Sequence, residues 1–425
     1  MICLTLVAWA PALGLGLSVV TSFDSSPTLN AWRALLAIAV VFVMLASTGW
    51  TAVQHQRDPG EPLKVALSAW ERGRMGAHGL PSPNTSAKRL ASFFASLSTT
   101  QQERLTTRYP LVVGNLNGAP VTLRYRANRL ALLQARGVEE RRMQDSRLSA
   151  DGRQQASRRM SRFESMLGSG RRILAFDPSG KGRAAEVIGD LDRAKRVSVV
   201  VPGVDTNVLT FEKTNRPYTA PVGMAESLYS AEQKADPGTP TAVIAWADYT
   251  SPAGLGVDAA IGKLAEDGAV RLSALTAALP GKSRVSLFCH SYGSVVCGVA
   301  ARTLPGRVTD VAVAGSPGMR VGSAEQLHTN AHVWAMRDQD DWIQDVPYMA
   351  VGGLGHGADP VTRAFGARVL SSSGAVGHAG YFQPGTESLD NFADIGVGSY
   401  RAVTCADGAT ACRSGIASSG VSMAG

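Results

Sequence analysis

From Arg172 onward the chain alternates between two kinds of stretch. Runs of consecutive apolar, often β-branched residues ("ILAFD", "VSVVVPG", "AVIAWA", "VSLFCHS", "VAVAGSPG" and "HVWAMR") are separated by segments of helix length. A strand that is apolar at every position must have both faces covered, so the pattern predicts a doubly wound, mostly parallel sheet with helices on either side and right-handed connections. Between residues 93 and 170 the period is helical instead. Ser98 with Gln101 three positions on is a capping-box signature, Tyr109-Pro110 closes that helix, and a further helical pattern runs from Asn128 to Leu167. Its apolar faces carry Leu130, Leu133, Met160, Phe163, Met166 and Leu167. The predicted order is a helical region at 93–170, an α/β domain at 171–412 and a disordered tail at 413–425.

The amino terminus departs from both patterns. Residues 31–53, "AWRALLAIAVVFVMLASTGWTAV", carry one charge near the start and are otherwise uncharged and apolar over a length that covers a bilayer. An earlier apolar stretch, 2–20, is interrupted by Pro11, Gly14 and Gly16 and lacks the basic n-region of a signal peptide. Residues 1–53 therefore read as one or two membrane segments or a signal-anchor; a translation start at Val20 would leave a single one. Residues 54–92 read as linker around a short amphipathic helix at "LKVALSAWERGRM". Arg33 precedes the second segment and Arg57, Lys64, Arg72 and Arg74 follow it, which on the positive-inside rule keeps the rest of the chain cytoplasmic. That rule is weak for large translocated domains. The expectation adopted is membrane anchoring with the α/β domain extracellular, a cytoplasmic-face or secreted form being the alternatives.

Charge changes this picture little. The formal net charge of +8 comes largely from basic residues between Arg136 and Arg172, where acids are interspersed and no aromatic-studded stripe accompanies them. The segment reads as a solvated helical face, and no nucleic-acid partner is expected. Of the five cysteines, Cys289 and Cys297 lie within apolar runs and read as small core residues, while Cys405 and Cys412 flank a short Gly-containing loop that a disulfide would close in an exported protein. With neither a CxxC pair nor an HExxH helix, no metal site and no cofactor is expected.

Candidate chemistry centres on "VSLFCHSYGSVVCGVAA", where Ser291 stands between an apolar strand and a helix of small residues. A serine in a tight strand-to-helix turn is lifted above the sheet edge, and Gly293 two positions later relieves the crowding; Cys289 occupies the matching position before it. The competing reading is a serine that only caps the helix. A hydroxyl nucleophile needs a base, and the base an orienting acid, in the chain order acid then histidine. The strand "HVWAMR" runs into an acidic loop with Asp338, Asp340 and Asp341; Asp341 is favoured because Trp342 and Ile343 turn the chain back to the core, with Asp338 second. Of the seven histidines, His290 adjoins the serine as a supporting residue, His55 and His78 lie in linkers, and His328 and His332 precede the acid. His378, in a Gly-flanked turn late in the chain, is the preferred base over His356. The Tyr292 amide and that of Val204 or Asp205, after Pro202-Gly203, are the expected anion donors.

The chain resembles a family of actinobacterial α/β-hydrolase-like proteins that carries only a domain-of-unknown-function label. The resemblance rests on "YPLVVGNLNGAPVTLRYRANR", "VPGVDTN", "FCHSYGS", "VAVAGSPGMRV", "GLGHGADP" and "GHAGYFQPGTESLDNFADIG", and runs from about Phe93 to Gly398. It implies the α/β-hydrolase fold, a serine nucleophile at Ser291 and a base at His378, but no substrate. The departure is Cys289, where the family usually shows Gly. The expected protein is thus a serine hydrolase acting on a small-molecule or lipid-like acyl ester, amide or thioester, the helical region forming a lid or flanking the pocket. Acyl transfer at the same site, or a non-catalytic cell-envelope binding protein, stay open. Oligomeric state is not legible.

Overall fold

The computed structural model describes residues 61–350, 353–406 and 411–416. Eight strands form one sheet: β1 (Arg172–Asp177), β2 (Arg183–Gly189), β3 (Arg196–Val201), β4 (Thr241–Ala247), β5 (Arg284–His290), β6 (Val308–Ala314), β7 (His332–Met336) and β8 (Arg368–Val369). Their lateral order is 8-7-6-5-3-4-2-1. β2 runs antiparallel to both its neighbours and every other pairing is parallel. All six strands expected from the apolar runs are present. β2, "RAAEVIG", and the two-residue β8 were not expected. β2 has two alanines and a glutamate among its seven residues and is reversed by the tight Pro178–Gly182 turn, so neither its composition nor its spacing follows the parallel pattern.

Among the described residues the helices of eight residues or more are α1 (Pro62–Glu71), α2 (Ala87–Ala95), α3 (Thr99–Arg108), α4 (Val121–Gln144), α5 (Ala150–Met166), α6 (Pro221–Ala235), α7 (Lys263–Ala278), α8 (Gly293–Ala300) and α9 (Glu387–Val397). One buried cluster lies on the face of the sheet shared with α7 and α8 (Val199, Leu272, Leu287, Val295), and a second on the face shared with α6 and α9 (Val200, Leu228, Phe288, Phe392). Both faces of each central strand are thereby removed from water, the largest favourable contribution available to the fold.

Three expectations about the first half need correction. The stretch from residue 62 is not linker: Trp70 is fully buried with Leu90, Phe94, Leu105 and Tyr109 in a separate core, its indole N–H donating to the Pro81 carbonyl at 2.7 Å. Ser98 and Gln101 do form the capping box of α3, but on α4 it is Ala131, Leu132 and Ala135 that are buried while Leu133 is exposed, because the helix turns its small side to α5 and β1. The basic run is not wholly solvated either. Arg159 and Glu139 are both buried and paired at 2.7 Å, and the same guanidinium donates to the carbonyls of Gly180 and Pro178.

These polar ties fix where the helical region sits. Asn128 donates to the carbonyls of Gly114 and Ile173, and Asn115 both accepts from and donates to the Phe176 backbone, so the region is bolted to the β1 edge. Arg162 extends the contact to the carbonyl of Glu212 in the loop after β3. Among the described residues no hydrogen bond from this region reaches Ser291, His378 or Asp341. Its contacts with β1 set it beside that edge of the sheet.

No helix among the described residues is long and apolar enough to cross a membrane. The two apolar segments, 2–20 and 31–53, lie outside the described residues, as does the tail beyond residue 416. The start of that tail is held, with Arg368 donating to the carbonyls of Cys412 and Ser414.

Candidate active site

The strand β5 ends at His290 and α8 begins at Gly293, leaving Ser291 and Tyr292 to make the whole turn. Such a short turn forces Ser291 to φ +54°, a left-handed conformation that a residue with a Cβ adopts only at a cost of about 1–3 kcal/mol. Its amide donates to the Ala314 carbonyl at the end of β6, 3.0 Å away. Gly293 is required by space: a Cβ there would lie 2.2 Å from the Val201 carbonyl oxygen. Gly203 is required likewise, since its Cβ would come 2.7 Å from the Ser291 Cβ. The end of β3 and the elbow after β5 are therefore in backbone contact.

Cys289 and Cys297 are not the free core residues expected. They form a disulfide that links the last turn of β5 to the middle of α8 across the elbow, and Cys405 and Cys412 form a second. Both elbow cysteines are buried. A residue two before the serine must be small to pack under the helix. A half-cystine meets that demand by bonding to the helix instead of leaving room for it.

The two loops that complete the site arrive from later strands. Beyond β7, Asp341 is fully buried, and its carboxylate accepts the Ile343 amide at 2.9 Å and the His378 Nδ1 at 2.8 Å on one oxygen and the Tyr381 hydroxyl at 2.5 Å on the other. Burial pushes this carboxyl up, but the bonds from His378, Tyr381 and Ile343 outweigh it and hold it below the ordinary carboxylate range. A carboxylate can only accept, so Nδ1 of His378 carries the proton. The lone pair on Nε2 then faces the Ser291 hydroxyl, 2.8 Å away. Gly315, at φ +55°, leaves room for the pair: a Cβ there would sit 2.8 Å from the Asp341 Oδ2 and 3.1 Å from the His378 Nδ1.

The remaining candidates fall into place by the same accounting. Asp338 accepts the Gly377 amide at 2.8 Å and so shapes the histidine loop without touching the imidazole. Asp340 is exposed, with its amide on Asp338. His356 hydrogen-bonds the Ala259 carbonyl at 2.6 Å and packs edge-on to the Tyr292 ring, tying two loops together away from the serine. The Asp205 amide is already spent on the Pro252 carbonyl at 2.8 Å. Among the described residues, those of Val204 and Tyr292 have no acceptor, so the two expected anion donors stay uncommitted. Tyr249 and Thr206 hold the Pro202 and Gly203 carbonyls at 2.6 and 3.0 Å, so this loop is fixed.

A backbone-contacted serine elbow after β5, an imidazole and carboxylate from the last loops and free amides after β3 are on one sheet edge. Residues 177–351 match the family model described as alpha/beta hydrolase. The sheet domain has the alpha/beta-hydrolase fold. An uncharacterized protein of Mycobacterium tuberculosis is 28% identical, over 82% of this chain and 59% of its own length; this chain thus spans about three fifths of that relative. Another, of Mycobacterium bovis, is 31% identical over 44% of this chain and 76% of its own length. Both fit the actinobacterial resemblance. The solved structures of a serine hydrolase without lid from Xanthomonas campestris (17% identity, 41% of this chain and 74% of that one) and of 2,6-dihydroxy-pseudo-oxynicotine hydrolase (13%, 79% and 93%) superpose with TM-scores of only 0.27 and 0.29. Likenesses that distant say nothing about the site.

Two side chains next to the imidazole have more precise places than their position in the sequence implied. His290 hydrogen-bonds the His378 carbonyl through Nε2 at 2.6 Å; burial, and then the neighbouring His378, push its pKa down to about 3. It is a neutral donor that pins the backbone of the histidine loop. Trp342 lies against the His378 ring, centroids 4.7 Å apart, and is part-exposed. Its position directly after Asp341 was the available signal, but periodicity reads it only as a return to the core.

Proposed function

We propose that this protein is a serine hydrolase that cleaves an ester, or an amide or thioester, through an acyl-enzyme. The observation that carries the reading is the unbroken chain from the buried Asp341 carboxylate through both nitrogens of His378 to the Ser291 hydroxyl. In this reading the Ser291 oxygen attacks the acyl carbon while its proton passes to the His378 Nε2. The resulting oxyanion is held by the Val204 and Tyr292 amides. Collapse expels the leaving group, which takes the proton from His378, and a water molecule then repeats the sequence to release the acid and restore the serine. Asp341 keeps the proton on Nδ1 and stabilises the imidazolium as it forms. No step calls on a metal or organic cofactor.

The compartment belongs to the same proposal. Two disulfides among the described residues favour an oxidising environment, and so an exported enzyme; in this reading the apolar stretch at 31–53 of the sequence anchors it at a membrane and its substrate is a small-molecule or lipid-like acyl compound.

A fluorophosphonate probe tests the chemistry without knowledge of the substrate. Wild type should be labelled on Ser291, and Ser291→Ala should give no adduct while retaining its thermal midpoint. A folded wild type that does not react removes the reading. An adduct whose acyl-ester counterpart partitions to added alcohol rather than water would assign acyl transfer at the same site.

A further inference from the structure

We propose that Tyr381 is a positioning residue for this chemistry: its hydroxyl, delivered by the same loop as His378, holds the second oxygen of Asp341 and sets how strongly that carboxylate grips the imidazole. The proposal rests on the reading of Ser291, His378 and Asp341 given above.

The direction of the hydrogen bond is settled by its neighbours. The Asp338 amide donates to the Tyr381 oxygen at 2.9 Å, and an amide N–H has no other role. The single phenolic proton is therefore free for the Asp341 Oδ2, 2.5 Å away. Charge-assisted bonds of this kind are short and among the stronger available to a side chain. The ring is fully buried, so water cannot substitute for the hydroxyl.

The loop makes the contact obligatory. His378 lies in a short turn, Gly377–Ala379, and Tyr381 follows it by three residues, so one tight segment presents two donors to opposite oxygens of one carboxylate. The segment is fixed from behind: Ser388 at the start of α9 donates to the Tyr381 carbonyl at 2.9 Å, and Ser227 on α6 donates to that of Phe382 at 2.7 Å. Gly315 also leaves space for this ring, whose Cε2 would be 3.1 Å from a Cβ there. Asp341 and His378 cannot shift relative to each other without breaking the tyrosine contact.

Two donors divide the charge of a carboxylate between them. Without the tyrosine hydroxyl, Asp341 becomes more basic and stabilises an imidazolium more, so the enzyme must be brought to higher pH before the imidazole can act as a base. The other titratable groups facing this pair are His290 from β5, Tyr348, whose hydroxyl donates to the Ile343 carbonyl, and Asp338 in the acid loop, whose backbone amide loses its acceptor in Tyr381→Phe but keeps it in the 3-fluorotyrosine variant.

The test is the second-order rate of fluorophosphonate labelling of the full chain between pH 5 and 9. For Tyr381→Phe we expect about a tenfold fall at pH 7, with the acid limb displaced to higher pH. Replacing Tyr381 by 3-fluorotyrosine keeps the shape and makes a stronger donor, and should displace the limb to lower pH. In an Asp341→Asn background, Tyr381→Phe should have no further effect on the rate. Tyr400→Phe, which removes a hydroxyl from another buried carboxyl group, should leave the profile in place. An acid limb that superposes on wild type for both Tyr381 changes, or one that Tyr400→Phe moves equally, overturns the positioning role while wild-type labelling still supports the hydrolase reading. A wild type that is not labelled removes both.

Discussion

Two buried carboxyl groups in this molecule are dressed alike and placed at opposite ends of the sheet. Asp341, past the end of β7, takes a histidine Nδ1 on one oxygen and a tyrosine hydroxyl on the other. Asp310, near the start of β6, takes the His332 Nδ1 at 3.2 Å and the Trp334 indole at 3.0 Å on one oxygen, and on the other the hydroxyls of Tyr400 at 2.8 Å and Thr309 at 2.7 Å. Both side chains are inaccessible to solvent. An Asp–His pair with a tyrosine is thus no mark of chemistry by itself. The difference lies beyond the imidazole. His378 continues to a serine held at positive φ, whereas the His332 ring rests edge-on against Trp334 and Tyr400. The first network ends in a polarised hydroxyl; the second closes on itself. Their locations agree with this division, because open α/β sheets bind ligands outside the carboxyl ends of the strands.

Removing each imidazole separates the two most sharply. His378→Ala should slow fluorophosphonate labelling by about 10⁴-fold or more, since serine and histidine act as a unit, with little change in thermal midpoint. His332→Ala should leave the labelling rate within a factor of about two and cost about 1 kcal/mol in urea unfolding, the worth of one hydrogen bond. Equal losses of labelling in both variants would collapse the distinction.

The carboxyl groups give the reverse ordering in stability. Asp310→Ala strands the indole, hydroxyl and imidazole donors inside the core, and about 3–5 kcal/mol of destabilisation is expected, read from denaturant midpoints, with the folded fraction still labelled at the wild-type rate. Loss of labelling in the folded fraction of that variant would show that the two ends are coupled.

A smaller effect follows from His290. Its folded pKa, pushed down to about 3, lies below the ordinary value of about 6.5 in the unfolded chain. The unfolded state therefore binds a proton that the folded state refuses as pH falls between those values, so its contribution to stability is full above about 6.5 and declines on the acid side, by up to about 1.4 kcal/mol per pH unit. Urea midpoints at pH 7.5 and 5.5 should fall accordingly in wild type and less in His290→Asn, which keeps a donor for the His378 carbonyl. An equal acid loss in both would place the titration elsewhere.

Much of the fold could be read directly along the chain. The six long apolar runs became strands because a buried parallel strand needs no partner to reveal its period, and the Ser98 capping box and the elbow around Ser291 are satisfied within a few residues. What stayed hidden depends on who meets whom. Asp338, Asp340 and Asp341 are equivalent as letters, and only the approach of the 377–381 loop gives one of them the imidazole. Val204 differs from Asp205 because Pro252, 47 positions further along the chain than Asp205, takes the latter's amide. Cys289 reads as a small core residue until α8 folds back and brings Cys297 to it. Tyr381 looks like one more aromatic in a loop, and Arg159 like one more solvated base, until burial and a partner are known.

By itself, then, the sequence determined which segments would be strand or helix and which serine would stand at a strand-to-helix turn, since periodicity and turn sterics act over a few residues. Only the tertiary structure decided which carboxylate, amide, cysteine and tyrosine join that serine. Those pairings span up to 87 positions and exist only once the order of the strands has brought the loops to one edge.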